Sequence, residues 1–257
     1  TARTDDMIPI PSLRTIGRDT IRKAARFAAT NGWYSYERAV GDRLQPGAQD
    51  AELRRKSVVF LARNPLDIAV SWYFQFTRRQ SGHKQELINA ELSAPVDRRE
   101  AGMWAMVRHS EIGLPSLIAF LNYWDEALQH LDHTLLTSYE ALRADPGKVL
   151  GQIARLMGVR FTDDEITDAV DFALFDNLRK MESEGFFRSG GLTLRNANDP
   201  DSFKVRRAKV GGYCDYFNTA QTTELESLVA RDLSPRLKDL LGLGHLQDSA
   251  PVAPVNG

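Results

Sequence analysis

The chain has 257 residues, of which 42% are hydrophobic and 26% charged, a composition typical of a globular domain rather than a disordered or fibrous chain. Its 33 basic and 34 acidic side chains give a formal net charge of -1, so no overall positive field would attract nucleic acid, and any anion site must be built locally. The single cysteine, Cys214, excludes an internal disulfide framework and predicts a reducing, cytoplasmic location. No apolar run approaches the roughly 20 residues that a membrane span requires.

The first part of the chain is predicted to contain one helix, then a strand, then a second helix. Apolar side chains recur near helical spacing over residues 12–30, which predicts an amphipathic helix. Residues 57–62 form a short run of β-branched and aromatic side chains, typical of a buried strand in a parallel sheet. A helix is then predicted over residues 65–79, because a proline at its start is compatible with the first helical position.

The middle of the chain continues this alternation. Residues 116–130 are predicted to be helical, residues 134–139 to form a second buried strand, and residues 146–157 to form another helix. Thr162 and Glu165 have the spacing of a capping box, in which a hydroxyl and a carboxylate satisfy free N–H groups at the start of a helix.

The last part of the chain combines a long loop with one helix. Residues 185–213 are rich in Gly, Arg and Asn and lack periodicity, and loops of this length are usually functional or mobile. A helix is predicted over residues 219–232. Strands that alternate with helices predict an α/β fold, with a parallel sheet flanked by helices in a single domain over residues 1–245 and a disordered tail over residues 246–257.

The turn at Arg63 is the most informative segment. Arg63 ends the first predicted strand, Asn64 suits the N-cap of the following helix, and Pro65 suits its first position. Ser71 lies two helical turns beyond Asn64 on the same face. A guanidinium and a hydroxyl that converge in this way suit a terminal phosphate. The alternative is a capped turn with a surface arginine and an outward serine.

The segment from Arg63 to Ser71 resembles the 3′-phosphate motif of the sulfotransferases that use 3′-phosphoadenosine 5′-phosphosulfate (PAPS). The resemblance as a whole is expected to be to a bacterial type of this family. Tyr139 lies in a segment that resembles the family's Tyr-Glu-x-Leu motif, whose tyrosine approaches the adenine. Phe175 and Leu178 lie in a segment that resembles the one contributing an aromatic and an apolar contact to the adenine. The resemblance covers about residues 57–232 and implies a P-loop-like fold.

The segment at residues 203–213 resembles the family's late loop, which closes on the 3′-phosphate. The resemblance implies that Arg206, Arg207 and Ala208 hold this phosphate together with Arg63 and Ser71. Ala208 stands where the family usually has glycine, a departure expected to cost little unless the site needs a positive φ. Without the resemblance, the basic cluster would be interpreted as a solvated loop.

These motifs imply a sulfotransferase that moves a sulfuryl group from PAPS to an acceptor hydroxyl or amine and releases 3′-phosphoadenosine 5′-phosphate (PAP). The acceptor is expected to be a small molecule or a glycan, with no metal required and no nucleic acid partner. Catalysis would rest on positioning and electrostatic stabilisation. One alternative from another class is a P-loop phosphotransferase, which the absence of a Walker-type Gly-Lys-Ser/Thr sequence disfavours.

Two expected features are missing from the sequence. No segment between Thr1 and Lys56 matches the family's Pro-Lys-Ser-Gly-Thr-like loop, whose amides and lysine hold the 5′-phosphosulfate. All 5 histidines follow Arg63, and none is assigned as the catalytic base, so the catalytic residues stay unknown. The expectation is an N-terminally truncated domain that binds nucleotide weakly and transfers no sulfate by itself. The alternative is a non-catalytic PAP- or PAPS-binding relative.

Overall fold

The computed structural model describes residues 57–90, 92–187 and 196–246, so the helix predicted over residues 12–30 and the tail predicted after Leu246 lie outside the described residues. Strands β1 (Val58–Ala62) and β2 (Thr134–Ser138) pair in parallel, with Val58 opposite Thr134 and Ala62 opposite Ser138. Both predicted strands and their parallel arrangement are therefore confirmed.

The strands are less buried than the sequence predicted. Only the ends of β1 and the last two residues of β2 are buried, and the other strand residues are half-buried. In the described part of the chain each strand has only the other as a neighbour, so both strands have an open edge. Tyr139 was predicted to end β2, but it begins a helix because the Ser138 hydroxyl accepts the N–H of Ala141 at 3.0 Å.

Helix α1 (Pro65–Phe74) follows β1 after a two-residue turn. The side-chain oxygen of Asn64 accepts the N–H of Leu66 at 2.9 Å, which confirms the predicted N-cap. The predicted helical extent to Arg79 is confirmed as well, but its last five residues, Gln75–Arg79, form a π-helical turn. This change of helix type decides which side chain reaches the site described below.

Within the described residues, nine further helices follow in chain order: α2 (Gly82–Asn89), α3 (Met103–Val107), α4 (Leu114–Leu128), α5 (Tyr139–Ala144), α6 (Pro146–Leu156), α7 (Asp163–Phe172), α8 (Phe175–Ser183), α9 (Thr219–Asp232) and α10 (Pro235–Leu240). Helices α4, α6, α7 and α9 confirm predicted elements. The other five have at most nine residues, too few for an apolar period to stand out. Short 3₁₀ turns occupy Pro200–Ser202 and Gly212–Asp215.

The main core lies where α1, α4 and α9 pack together and against the sheet. Trp124 on α4 stacks on Phe60 of β1, with ring centroids 5.6 Å apart and an interplanar angle of 22°. The capping box of α7 forms in both directions: Thr162 accepts the N–H of Glu165, and Glu165 accepts the N–H of Thr162. Among the described helices, none has the length and hydrophobicity needed to cross a lipid bilayer.

Candidate functional site

A cavity of about 660 Å³ opens at the carboxyl ends of β1 and β2, where α/β folds bind their ligands. It lies between the start of α1, the helices α5 and α8, and the loop that precedes α9. All eight side chains that the sequence motifs single out line this one cavity: Arg63, Ser71, Tyr139, Phe175, Leu178, Arg206, Arg207 and Ala208. Segments far apart in the sequence therefore meet at one site.

Arg63 joins the two strand ends at the cavity wall. Its guanidinium lies over the ring of Tyr139, 4.3 Å from the centroid, and one of its N–H groups donates to the backbone oxygen of Lys209 at 3.4 Å. A second contact joins the same strand ends, because the N–H of Asn64 donates to the Glu140 carboxylate at 3.0 Å. The Nε of Arg63 is buried and has no hydrogen-bond partner within the described ranges.

Asp67 ties the start of α1 to the late loop. Its carboxylate is buried and accepts the backbone N–H groups of Gly211 at 2.8 Å and Tyr213 at 3.0 Å. From its place in the first turn of α1, Asp67 would be expected only to interact with the positive end of the helix dipole. Its contacts lie about 144 residues away in the chain, and no short-range pattern could have indicated them.

A second buried carboxylate holds the other end of the same loop. Glu182 on α8 is only 1% exposed, and its two oxygens accept the N–H groups of Lys204 at 2.6 Å and Val205 at 2.8 Å. Arg179, one turn earlier, donates to the Val205 carbonyl at 2.8 Å. The loop is thus fixed on both sides of residues 206–210, and residues 206–209 line the cavity between the two anchors.

Arg206 is held by aromatic side chains. Its guanidinium lies over Phe74, 4.1 Å from the ring centroid, and donates to the hydroxyl of Tyr216. These contacts fix a planar group that can present two parallel donors to a phosphate.

Arg207 and Lys209 share one carboxylate at the rim of the cavity. Arg207 lies 2.5 Å from an oxygen of Asp215, and Lys209 lies 2.8 Å from both oxygens. The hydrogen bonds from Lys209 and Arg207 lower the pKa of Asp215. Hydrogen bonds to Tyr216 and Asp215 raise the pKa of Arg207. Both shifts favour the charged forms of Asp215 and Arg207.

Ala208 meets the condition under which its departure from glycine was expected to have a cost. Its φ is +49°, so the site does use the left-handed backbone region at the position where the family usually has glycine. A side chain with a Cβ is strained there by roughly 1–2 kcal/mol. The substitution of glycine by alanine therefore has a conformational cost.

The opposite end of the cavity is aromatic and apolar. Tyr139 begins α5, and Phe175 and Leu178 lie one turn apart at the start of α8, so both face the same side of the helix. Leu142 and Val170 extend this surface. A flat, uncharged ring fits such a surface, whereas the arginine-rich end fits an anion.

Arg79 is a cavity residue that the sequence analysis did not identify. It is 8% exposed and lines the cavity beside Arg206. Burial, together with the nearby charge of Arg206, lowers the pKa of Arg79 to about 10, against the opposing effect of Glu182, Asp201 and Asp199. The guanidinium is still a cation at neutral pH.

Neither a catalytic base nor a metal centre is evident among the described residues. His109 accepts the N–H of Glu111 through Nδ1 at 3.2 Å and is not among the residues that line the described cavity. It lies in the loop after α3. Within the described ranges, His, Cys, Asp and Glu side chains form no group of three or more that could hold a metal ion.

Comparison with known proteins identifies relatives of this architecture. A family model described as a sulfotransferase domain matches residues 48–238. Cytosolic sulfotransferase 14 of Arabidopsis thaliana is 29% identical over 178 residues, which cover 67% of this chain and 47% of that protein. Flavonol 4′-sulfotransferase of Flaveria chlorifolia is 27% identical over 183 residues, covering 69% and 52%. The chain spans about half the length of the curated relatives that it matches.

Among solved structures, retinol dehydratase in complex with androsterone and the inactive cofactor PAP has a TM-score of 0.53. The sequence identity is 15%, and the match covers 90% of this chain and 72% of that one. This likeness establishes the fold.

Proposed function

Because this chain belongs to the sulfotransferase domain family, we propose that it binds PAPS in the cavity and transfers the sulfuryl group to an acceptor hydroxyl or amine, with PAP as the product. The observation that carries the proposal is the cavity itself, which has a cationic end and an aromatic end. Its volume of about 660 Å³ lies within the usual range for small-molecule sites, about 300–1,000 Å³.

The cationic end would hold the 3′-phosphate. Arg63 and Arg206 would supply guanidinium donors, and Ser71 would supply a hydroxyl from the middle of α1. Arg207 and the backbone N–H of Ala208 would complete the contacts from the late loop. Support for this assignment comes from the aromatic contacts that fix both Arg63 and Arg206 before any ligand binds, since preorganised donors lose little freedom on binding.

The aromatic end would hold the adenine. Tyr139 would face the base on one side, with Phe175 and Leu178 bordering the other. Because Arg63 stacks on Tyr139, the residues proposed for the phosphate and for the base are in direct contact. A nucleotide with a phosphate on its 3′ position would span from one group to the other.

In the transfer step the acceptor oxygen or nitrogen would attack sulfur in line with the leaving group. The bond from sulfur to the 5′-phosphate oxygen would break, and the acceptor proton would pass to a base. Residues 1–56, which lie outside the described residues, contain no match to the family's phosphosulfate loop, so no residue of this chain is assigned to the 5′ end or as the base.

The acceptor is proposed to be a small molecule with a hydroxyl group, in line with the flavonol named for the Flaveria relative; a glycan acceptor remains a prediction. We also infer a cytoplasmic location, which the free and exposed Cys214 and the cytosolic relatives support. Neither inference depends on the geometry of the cavity.

The test compares nucleotides that differ by one phosphate. Isothermal calorimetry on the 257-residue chain should give an affinity for PAP at least about tenfold higher than for adenosine 5′-phosphate, because charge-assisted contacts discriminate strongly. ATP should also bind more weakly than PAP, in contrast to a P-loop phosphotransferase. Equal affinity for PAP and adenosine 5′-phosphate would contradict the proposal. Transfer is then assayed with labelled PAPS and a panel of phenols, flavonols, sugars and amines. Turnover by the 257-residue chain would support the proposed transfer and overturn the expectation that this chain transfers no sulfate by itself.

A further inference from the structure

Two neighbouring arginines end the π-helical turn after α1, and only one of them lines the cavity. Arg78 is exposed, whereas Arg79 is buried and lines the cavity with Ser71. A continuous α-helix would give the opposite result. At about 100° per residue, Arg78 would return to within about 20° of Ser71, and Arg79 would point about 80° away.

The π-helical turn explains why Arg79, and not Arg78, lines the cavity. A turn closed by i→i+5 bonds contains more residues than an α-helical turn, so each residue advances by a smaller angle. Over Gln75–Arg79 this lag rotates Arg79 back toward the face of Ser71 and rotates Arg78 out to solvent. Helical side chains also tilt toward the N-terminus of the helix, which directs Arg79 back along α1 toward Ser71.

Arg79 has unused hydrogen-bonding capacity. Its Nε is buried without a hydrogen-bond partner in the part of the chain that the structure describes. Its contact with the side-chain oxygen of Gln75 is long, at 3.5 Å. A buried guanidinium with an unsatisfied N–H carries a desolvation cost that a bound anion would relieve.

The surrounding charges point to the same conclusion. Arg206 lies close enough to Arg79 to disfavour its charged form, and burial disfavours it further. Two of the carboxylates that favour the charge of Arg79 are already engaged: Glu182 accepts two backbone N–H groups, and Asp201 lies 3.7 Å from Arg206. A phosphate between the two guanidinium groups would convert their repulsion into attraction to a shared partner.

We propose that Arg79 is a further contact to the 3′-phosphate and contributes to the selection of 3′-phosphorylated nucleotides, with the π turn as the device that brings it there. This inference rests on the proposed function. It adds Arg79 to the proposed phosphate contacts, although this residue lies eight positions beyond Ser71 and outside the motif from Arg63 to Ser71.

The test uses Arg79→Gln in the full chain, with Arg78→Gln as a matched control on the exposed neighbour. Affinities for PAP and for adenosine 5′-phosphate are measured on the same preparations, so that any general loss of stability affects both. Arg79→Gln should weaken PAP binding about 10- to 100-fold, the usual effect of losing a charge-assisted contact. Binding of adenosine 5′-phosphate should change by less than about threefold, since it lacks the 3′ group.

The control variants sharpen the result. Arg78→Gln should leave both affinities unchanged. Arg79→Lys should recover part of the PAP affinity, because it keeps the charge but not the planar fork. Suppose that the unaltered chain prefers PAP but Arg79→Gln weakens the binding of both nucleotides equally, or of neither. Arg79 is then not a 3′-phosphate contact, and the proposed function still stands. If the unaltered chain shows no preference for PAP, the proposed function fails and this inference fails with it.

Discussion

The guanidinium carbon of Arg63 lies 4.3 Å from the centre of the Tyr139 ring. The two residues directly follow the last paired residues of neighbouring parallel strands, Ala62 and Ser138, so the sheet register places them side by side. A cation within about 6 Å of an aromatic ring is stabilised by roughly 0.5–2 kcal/mol. The contact links the proposed phosphate site to the proposed adenine site.

Arg63→Ala should weaken PAP binding by several kcal/mol, because it removes a guanidinium whose charge-assisted contacts are worth about 1.5–3 kcal/mol each. Adenosine 5′-phosphate should lose far less, because it lacks the 3′-phosphate and is affected only through the contacts of Arg63 within the protein, with Tyr139, Lys209 and Asp67. Calorimetry with both nucleotides measures the difference. Arg63→Lys serves as the control that keeps the charge and should give an intermediate loss. Equal losses for the two nucleotides would refute the assignment of Arg63 to the 3′-phosphate.

Ala208→Gly should leave the free energy of unfolding unchanged or raise it by up to about 1 kcal/mol, because glycine adopts a positive φ without strain while making the unfolded chain more flexible. The same chemical change at the exposed helical Ala169 should lower stability by about 1 kcal/mol. Urea denaturation of both variants tests the contrast. A similar destabilisation at the two positions would mean that Ala208 is not strained.

PAP should slow amide hydrogen exchange over residues 206–210. These residues lie between the two carboxylate anchors, so their exchange depends on local opening of the loop, which a bound phosphate would oppose. The amides of Lys204 and Gly211 already donate to carboxylates and should respond less. Mass spectrometry with saturating PAP, and with adenosine 5′-phosphate as the control, measures this. Unchanged exchange at residues 206–210 would rule out closure on the nucleotide.

Asp215→Asn should lower the stability of the chain at about pH 6 but not in strong acid. The pKa of Asp215 lies below its ordinary value because Lys209 and Arg207 hydrogen-bond to its charged form. A carboxyl whose folded pKa is depressed stabilises the folded state above the unfolded pKa of about 3.9, and this contribution is lost as the pH falls through the folded value.

The measurement is urea denaturation of Asp215→Asn and the unaltered chain across this pH range. Their difference should shrink below about pH 4, and it should also shrink in about 1 M salt, since an exposed ion pair is screened. A difference that stays constant with pH would show that the asparagine acts through something other than lost charge.

The strands, the larger helices and the capping box were predictable because each is encoded by neighbouring residues. Asn64 and Pro65 specify the start of α1 locally, and Thr162 with Glu165 specifies the start of α7. The motif residues converge on one cavity because β1 and β2 run parallel and end at the same edge. These features follow from local sequence preferences and from the rule that neighbouring parallel strands end at the same edge of a sheet.

The remaining features depend on contacts that a linear pattern does not contain. The periodicity of a regular helix would select Arg78 for the cavity, and only the π turn selects Arg79. The positive φ of Ala208 arises from the path of a loop held at both ends by buried carboxylates. The roles of Asp67 and Glu182 depend on tertiary contacts made by backbone N–H groups, which have no sequence signature.

The hydrogen bond from Gly211 to Asp67 spans about 144 residues, and this separation affects how the protein is made. At a synthesis rate of about 5–20 residues per second, roughly 7–30 s pass between the emergence of the two partners. A ligand stabilises only a state that can bind it. Nucleotide in the cell therefore gives no stabilisation to the nascent chain during that interval, and the early strand and helices depend on their own packing or on chaperones. Chains that terminate before Arg206 would carry the whole Arg63 motif and still lack Arg206, Arg207 and Ala208, the late-loop half of the proposed phosphate site.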